Sequence, residues 1–133
     1  MKWLSRYAPP LQSILRIVTG LLFLEHGMQK LFGFPPLSAA MAAMHVPDNV
    51  RTLLLVAGFI ELVTGALITL GLFSRFAAFI ASGEMAFAYW LGHFLQSHSF
   101  FPATNGGDAA ILFCFVFLYL ASAGPGPIAL NQR

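Results

Sequence analysis

The stretch R-I-V-T-G-L-L-F-L-E-H-G-M-Q-K-L-F-G, residues 16–33, decides how the rest of the chain is read. It is apolar enough to enter a bilayer, yet it carries Arg16, Glu25, His26 and Lys30. Helical offsets of 4, 3, 4 and 3 place Arg16, Gly20, Phe23, Gly27 and Lys30 on one stripe. That stripe is cationic at both ends, and its two glycines let another helix or a flat ligand approach the backbone closely. Glu25 falls on the opposite face, and His26 lies at the edge of the stripe. Ionisable side chains in a spanning helix are costly and mostly face a bundle interior or a wet cavity. The rest of the chain is therefore expected to supply their partners.

Composition fits that setting. Of the 133 residues, 58% are hydrophobic and 9% charged, and the mean hydropathy is +0.77. A typical soluble domain has about 25% charged residues, so the chain reads as a small integral membrane protein in contact with the lipid bilayer. The net charge is +2, and the seven Lys and Arg are scattered, which excludes a nucleic-acid surface. A single cysteine, Cys114, excludes an intrachain disulfide and a C-x-x-C relay. Redox chemistry would need a bound cofactor or a partner protein.

The chain opens with Lys2, Arg6, Trp3 and Tyr7, suited to a membrane surface, and Pro9-Pro10 suits a helix entry. The following run is long, contains Arg16 and lacks a small-residue cleavage site, so an uncleaved first span over residues 11–32 is expected. In the connection, Leu37, Met41 and Met44 predict a short interfacial helix. Asp48 or Asn49 is expected to cap a second span over 51–72, with Gly58, Glu61 and Gly65 on one face. A short turn makes the third span, 75–95, an antiparallel neighbour carrying Glu84. Glu61 and Glu84 fall roughly 15 Å and 13 Å along their helices, near mid-bilayer. In N-G-G-D, Asn105 is expected to cap the fourth helix with Asp108 three residues later. The fourth span, 108–124, ends at Gly124-Pro125-Gly126-Pro127.

These elements predict an all-α fold: an integral membrane antiparallel four-helix bundle formed by one domain, residues 1–133. Four spans put both termini on one side. Lys2, Arg6, Arg75 and Arg133 share it, which makes the termini cytoplasmic. Glu25, His26, Lys30, His93 and Asp108 then gather in the outer half, Glu61 and Glu84 near the middle and Arg16 in the inner half. Arg16 has three readings: snorkelling, pairing with Glu84, or binding an anionic group. Lys30 is expected to be neutralised by Glu25 or Asp108. For Glu61 and Glu84, proton chemistry stands beside a structural interhelical hydrogen bond. His26 and His93, on different helices, raise haem ligation, which the small size of the chain disfavours.

The pattern R-x3-G-x2-F-x3-G-x2-K-x2-G from Arg16, G-x2-E-x3-G around Glu61, G-E-M-A from Gly83, and N-G-G-D followed by G-P-G-P resembles the DoxX family of small membrane proteins. Asp108 stands where that family usually has Glu. The resemblance implies a four-helix bundle of the bacterial inner membrane and an association with redox systems, including a thiosulfate:quinone oxidoreductase. Three functions follow. The first is a redox-linked accessory subunit that binds a quinone, with Arg16, His26, Lys30, His93, Asn105 and Asp108 as cofactor-binding candidates and Glu61 and Glu84 carrying protons. The second is a proton or small-solute path along the polar axis, and the third a non-catalytic assembly partner. A homo-oligomer or a redox partner protein is expected. No metal-ligand spacing stands out, and no nucleophile and base pair is visible.

Overall fold

The structure, a computed structural model, describes residues 2–132, apart from the side chains of residues 40 and 41. All regular structure among the described residues is helical. Helix α1 (Lys2–Ser5) is a single turn, and α2 (Ala8–Phe32) begins with Pro9-Pro10 in its first turn. The short α3 (Ala39–Ala42) occupies the connection, and α4 (Asp48–Leu70) follows it. Helix α5 (Ser74–Phe87) runs without a break into a π-helical segment, Ala88–Phe94, and a closing turn, α6 (Leu95–Ser97). One further turn, α7 (Pro102–Asn105), precedes α8 (Asp108–Ala123). Among these, α4 is long and apolar enough by length and composition to cross a membrane, and α8 is a shorter apolar helix. Met41, expected on the stripe with Leu37 and Met44, and Arg133, counted in the charge bias, lie outside what is described.

Two helix ends differ from expectation. Pro47 precedes α4 as its cap, and Asp48 is the first helical residue, so neither Asp48 nor Asn49 caps by side chain. Proline suits this boundary because its fixed φ and missing N–H cost a helix start nothing. Asn105 does not cap α8. It ends α7, and its Oδ1 accepts from the N–H of Gly107, the residue that precedes α8. This two-residue side-chain turn satisfies the Gly107 donor locally.

Packing is inverted relative to a water-soluble bundle. Helix α2 meets α4 through small residues. A Cβ on Gly27 would meet Leu62 N at 2.5 Å and Gly58 O at 2.8 Å, and one on Gly65 would meet Leu24 N at 2.7 Å. One on Gly20 would meet Thr69 N at 2.8 Å, so the two helices run antiparallel in a single register. Alanines 77, 78 and 81 and Ser82 are the buried face of α5, which packs on α4 and α8. Helices α2 and α8 meet only lightly, and phenylalanine rings fill that seam: Phe23 lies 4.7 Å from Phe117 and 5.6 Å from Phe113, centroid to centroid. The large residues Leu53, Phe59, Phe76, Phe79, Leu112 and Phe115 point outward. Small side chains allow close backbone approach where lipid replaces water outside, and this is the packing seen.

Candidate functional site

Two polar centres lie inside this bundle. The first is built on the α2–α4 register. The contact of Gly58 with Lys30 Cβ brings the end of α2 against the middle of α4, and Lys30 Nζ donates to both oxygens of Glu61, at 2.5 and 2.6 Å. The Glu61 side chain is 2% exposed and that of Lys30 27%. An ammonium has three donors, so this pair leaves one N–H of Lys30 on its more open side. The neutralising partner of Lys30 is therefore Glu61. Glu25 and Asp108, the partners expected, are both exposed and form no ion pair with Lys30. The reason is interhelical register, which spacing within one helix does not reveal.

Glu84 borders the same centre from α5. It lies within electrostatic reach of Glu61 and Lys30, and His26 within that of Glu61. Glu84 Oε2 is buried and has no hydrogen-bond partner; Ser74 Oγ is the other such side-chain atom among the described residues. His26 sits at the mouth of the α2–α8 seam, exposed, with its ring edge-on to Phe113 at 6.1 Å. The arrangement offers one ammonium donor, one carboxyl without a partner and an aromatic wall. Among the described residues, no group of three His, Cys, Asp or Glu is placed to hold a metal ion.

The second centre is Arg16, 1% exposed. Its Nη1 donates to Ile68 O at 2.5 Å and Thr69 O at 2.7 Å, at the end of α4. Its Nε donates to Pro125 O at 2.9 Å, and its Nη2 to Ile128 O. The guanidinium thus meets carbonyls at the negative dipole end of α4, where Ile68 O also accepts from Gly71 N–H, and it ties the tail to the bundle. Neighbouring contacts repeat the theme. Gln12 donates to Gly124 O, Ser13 Oγ accepts from Ile128 N–H, and Arg75 donates to the carbonyls of Ala121 and Ser122. Pairing of Arg16 with Glu84 does not form, because these carbonyls take its donors. Gly71, at φ +67°, closes the α4 end, and any side chain there would strike Ala129 and Arg16.

The remaining candidates belong to the end of the bundle near α7. His93 Nδ1 lies 3.1 Å from Asn105 O, and Asn105 Nδ2 donates to Ser99 O at 3.0 Å and weakly to the Tyr89 hydroxyl. Tyr89 itself donates to Phe100 O. The π-helical segment, which carries Tyr89 and His93, had no signal in the sequence; such segments recur at functional sites. His26 and His93 have separate surroundings, Phe113 for one and Asn105 for the other.

Comparison with known proteins agrees with the motif pattern. The family model described as DoxX matches residues 11–94. A Haemophilus influenzae protein described as uncharacterized is 42% identical over 135 aligned residues, covering 100% of this chain and 97% of that one. The Escherichia coli inner membrane protein YphA is 30% identical over 135 aligned residues, covering 94% and 91% respectively. No solved structure matches. With the family match spanning most of its length and a relative aligned end to end, this chain belongs to the DoxX family.

Proposed function

We propose that this protein is a single-domain, multi-pass inner-membrane protein with a redox-linked accessory role, in which the Lys30–Glu61–Glu84 centre takes a quinone-type ring. Helices α2, α4, α5 with its continuation, and α8 cross the bilayer, with both termini cytoplasmic. The outward Leu and Phe side chains support this, as does the inner-membrane placement of the Escherichia coli relative. Helix α8, at about 24 Å, is short for a core of about 30 Å; α7 and the Gly106-Gly107 turn extend it.

The observation that carries the functional reading is Glu84 Oε2, a buried carboxyl oxygen without a partner beside a salt-bridged lysine. When bound, a quinone supplies two-electron chemistry that takes up two protons on reduction. The free Lys30 N–H is the donor for a ring oxygen, His26 and Phe113 flank the ring, and Glu84 holds and delivers a proton at Oε2. Glu61 orients Lys30 through both of its carboxylate oxygens. His93, Asn105 and Asp108 lie toward the end of the bundle and are proposed to shape the approach to it. Arg16, with its donors on carbonyls, is assigned to the architecture.

The test is an organic extract and an oxidised-minus-reduced ultraviolet spectrum of the protein purified in mild detergent. Stoichiometric quinone is expected, retained in Glu84→Gln and lost in Lys30→Gln. A featureless spectrum from folded protein would overturn the redox reading. Proton flux in vesicles, abolished by Glu84→Gln, would then favour transport, and its absence an assembly role.

A further inference from the structure

Glu25 is a carboxylate that the bundle leaves outside in mid-helix, whereas the exposed Asp48 and Asp108 stand at helix starts. It is exposed in the interior of α2, with no hydrogen bond or ion pair among the described residues. Its neighbours Leu24 and Gly27 pack on Gly65 and Leu62, so it lies level with residues 62–65 of α4, about two turns before that helix ends at Leu70. Roughly 10 Å of helix separates it from the end of α2 at Phe32. A glutamate lacks the long stem with which Lys or Arg reaches an interface. On the membrane reading above, on which this inference rests, its face therefore calls for a partner.

The face has a pattern of its own. Leu11, Ile14, Val18, Leu21, Glu25 and, two turns on, Phe32 follow a seven-residue repeat of offsets 3 and 4, and the five apolar ones are exposed. That is the seam of a left-handed helix pair, where one polar position sets register and partner number. It lies opposite the stripe of Gly20, Phe23 and Gly27, which contacts α4 and α8, and its first residues, Leu11, Ile14 and Val18, border an open groove with Leu15 and Tyr119. The outward faces of α4 and α8 carry no charged residue beyond Asp48 and Arg51 at the start of α4 and Asp108 at the start of α8, so lipid suits them.

We propose that this face of α2 pairs with the same face of a second copy of this chain. The two helices run parallel about a twofold axis normal to the membrane, and Glu25 meets its counterpart at that axis. Copies inserted in one orientation place equal residues at equal depth, so the contact is self-complementary. One proton taken up between the two carboxylates joins them in an interhelical hydrogen bond and leaves a single negative charge shared by the pair in place of two isolated ones.

The test uses full-length protein in native membranes, in a Cys114→Ala background, with single cysteines introduced by Val18→Cys, Leu21→Cys and, as a control on the outer face of α4, Phe59→Cys. Copper-phenanthroline oxidation should give severalfold more disulfide dimer from the first two than from the control. Adding Glu25→Ala should reduce it severalfold, and Glu25→Gln should preserve it. If the protein stays in the carbonate-washed membrane pellet while the α2 positions cross-link no better than the control, or ignore Glu25→Ala, the pairing is overturned and the membrane reading stands. Release of the protein into the carbonate supernatant overturns both.

Discussion

Lys30 and Glu61 form an asymmetric pair, the acid sealed and the base partly open. Removing one partner of a buried pair leaves the other charge uncompensated, which typically costs about 3–5 kcal/mol, whereas replacing both with apolar residues is often neutral. Lys30→Ala should therefore lower stability in detergent by several kcal/mol, and Lys30→Met with Glu61→Leu should recover most of it. Thermal unfolding of the two variants makes the comparison; equal losses would show that the charge pairing does not hold these helices. Arg16 is the second test at this scale. Arg16→Met removes four hydrogen bonds and leaves the Thr69, Pro125 and Ile128 carbonyls without their donor, while Ile68 O keeps the Gly71 N–H; each carbonyl left buried and unsatisfied costs about 1–3 kcal/mol. It should reduce folded yield more than any single substitution of an outward leucine, as read by size-exclusion profiles of membrane extracts.

The contact between α2 and α4 turns on glycine, and two glycines should respond in opposite ways. At Gly27 a methyl group would meet backbone atoms of α4 at 2.5–2.9 Å, so Gly27→Ala must push the helices apart. At Gly83 a Cβ would meet nothing within 4 Å, so Gly83→Ala should stabilise by about 0.5–1 kcal/mol through helix propensity alone. Melting temperatures moving in opposite directions would support this packing; a fall in both would contradict it. The same glycines explain what the sequence revealed. Periodicity and punctuation announced the helices, because apolar runs and Gly/Pro boundaries act locally. The Lys30–Glu61 pairing depends on register between helices, which no single span encodes. A signal was nonetheless present: Gly20 and Gly27 in one helix, and Gly58 and Gly65 in the other, are each seven residues apart and mark the faces that meet. The π-helical turn carrying Tyr89 and His93 had no such mark, since one extra residue per turn alters no composition.

For the molecule as a whole, the tail after α8 is a strap. Leu130 N–H reaches Leu70 O, Asn131 N–H reaches Gly71 O, and the Asn131 side chain accepts from Phe73 N–H, while Arg16, Gln12 and Ser13 hold residues 124–128. Truncation after Ala123 should thus resemble Arg16→Met, with loss of folded protein and faster proteolysis; a truncated chain as protease-resistant as the parent would refute the strap. The quoted motifs included both Arg16 and G-P-G-P, and the structure joins them into one unit. Their link was invisible in sequence because it runs through backbone carbonyls, which every residue possesses. The inverted packing has a consequence for anyone engineering this protein. The usual remedy for a weak fold, enlarging apolar side chains inside, works backwards at the α2–α4 contact and on the buried face of α5, which are closed by residues that are small. Improvement has to come from the periphery, by exchanging outward residues for better helix formers, and the most tolerant positions for small apolar labels are the phenylalanines that in a soluble protein would be the last to touch.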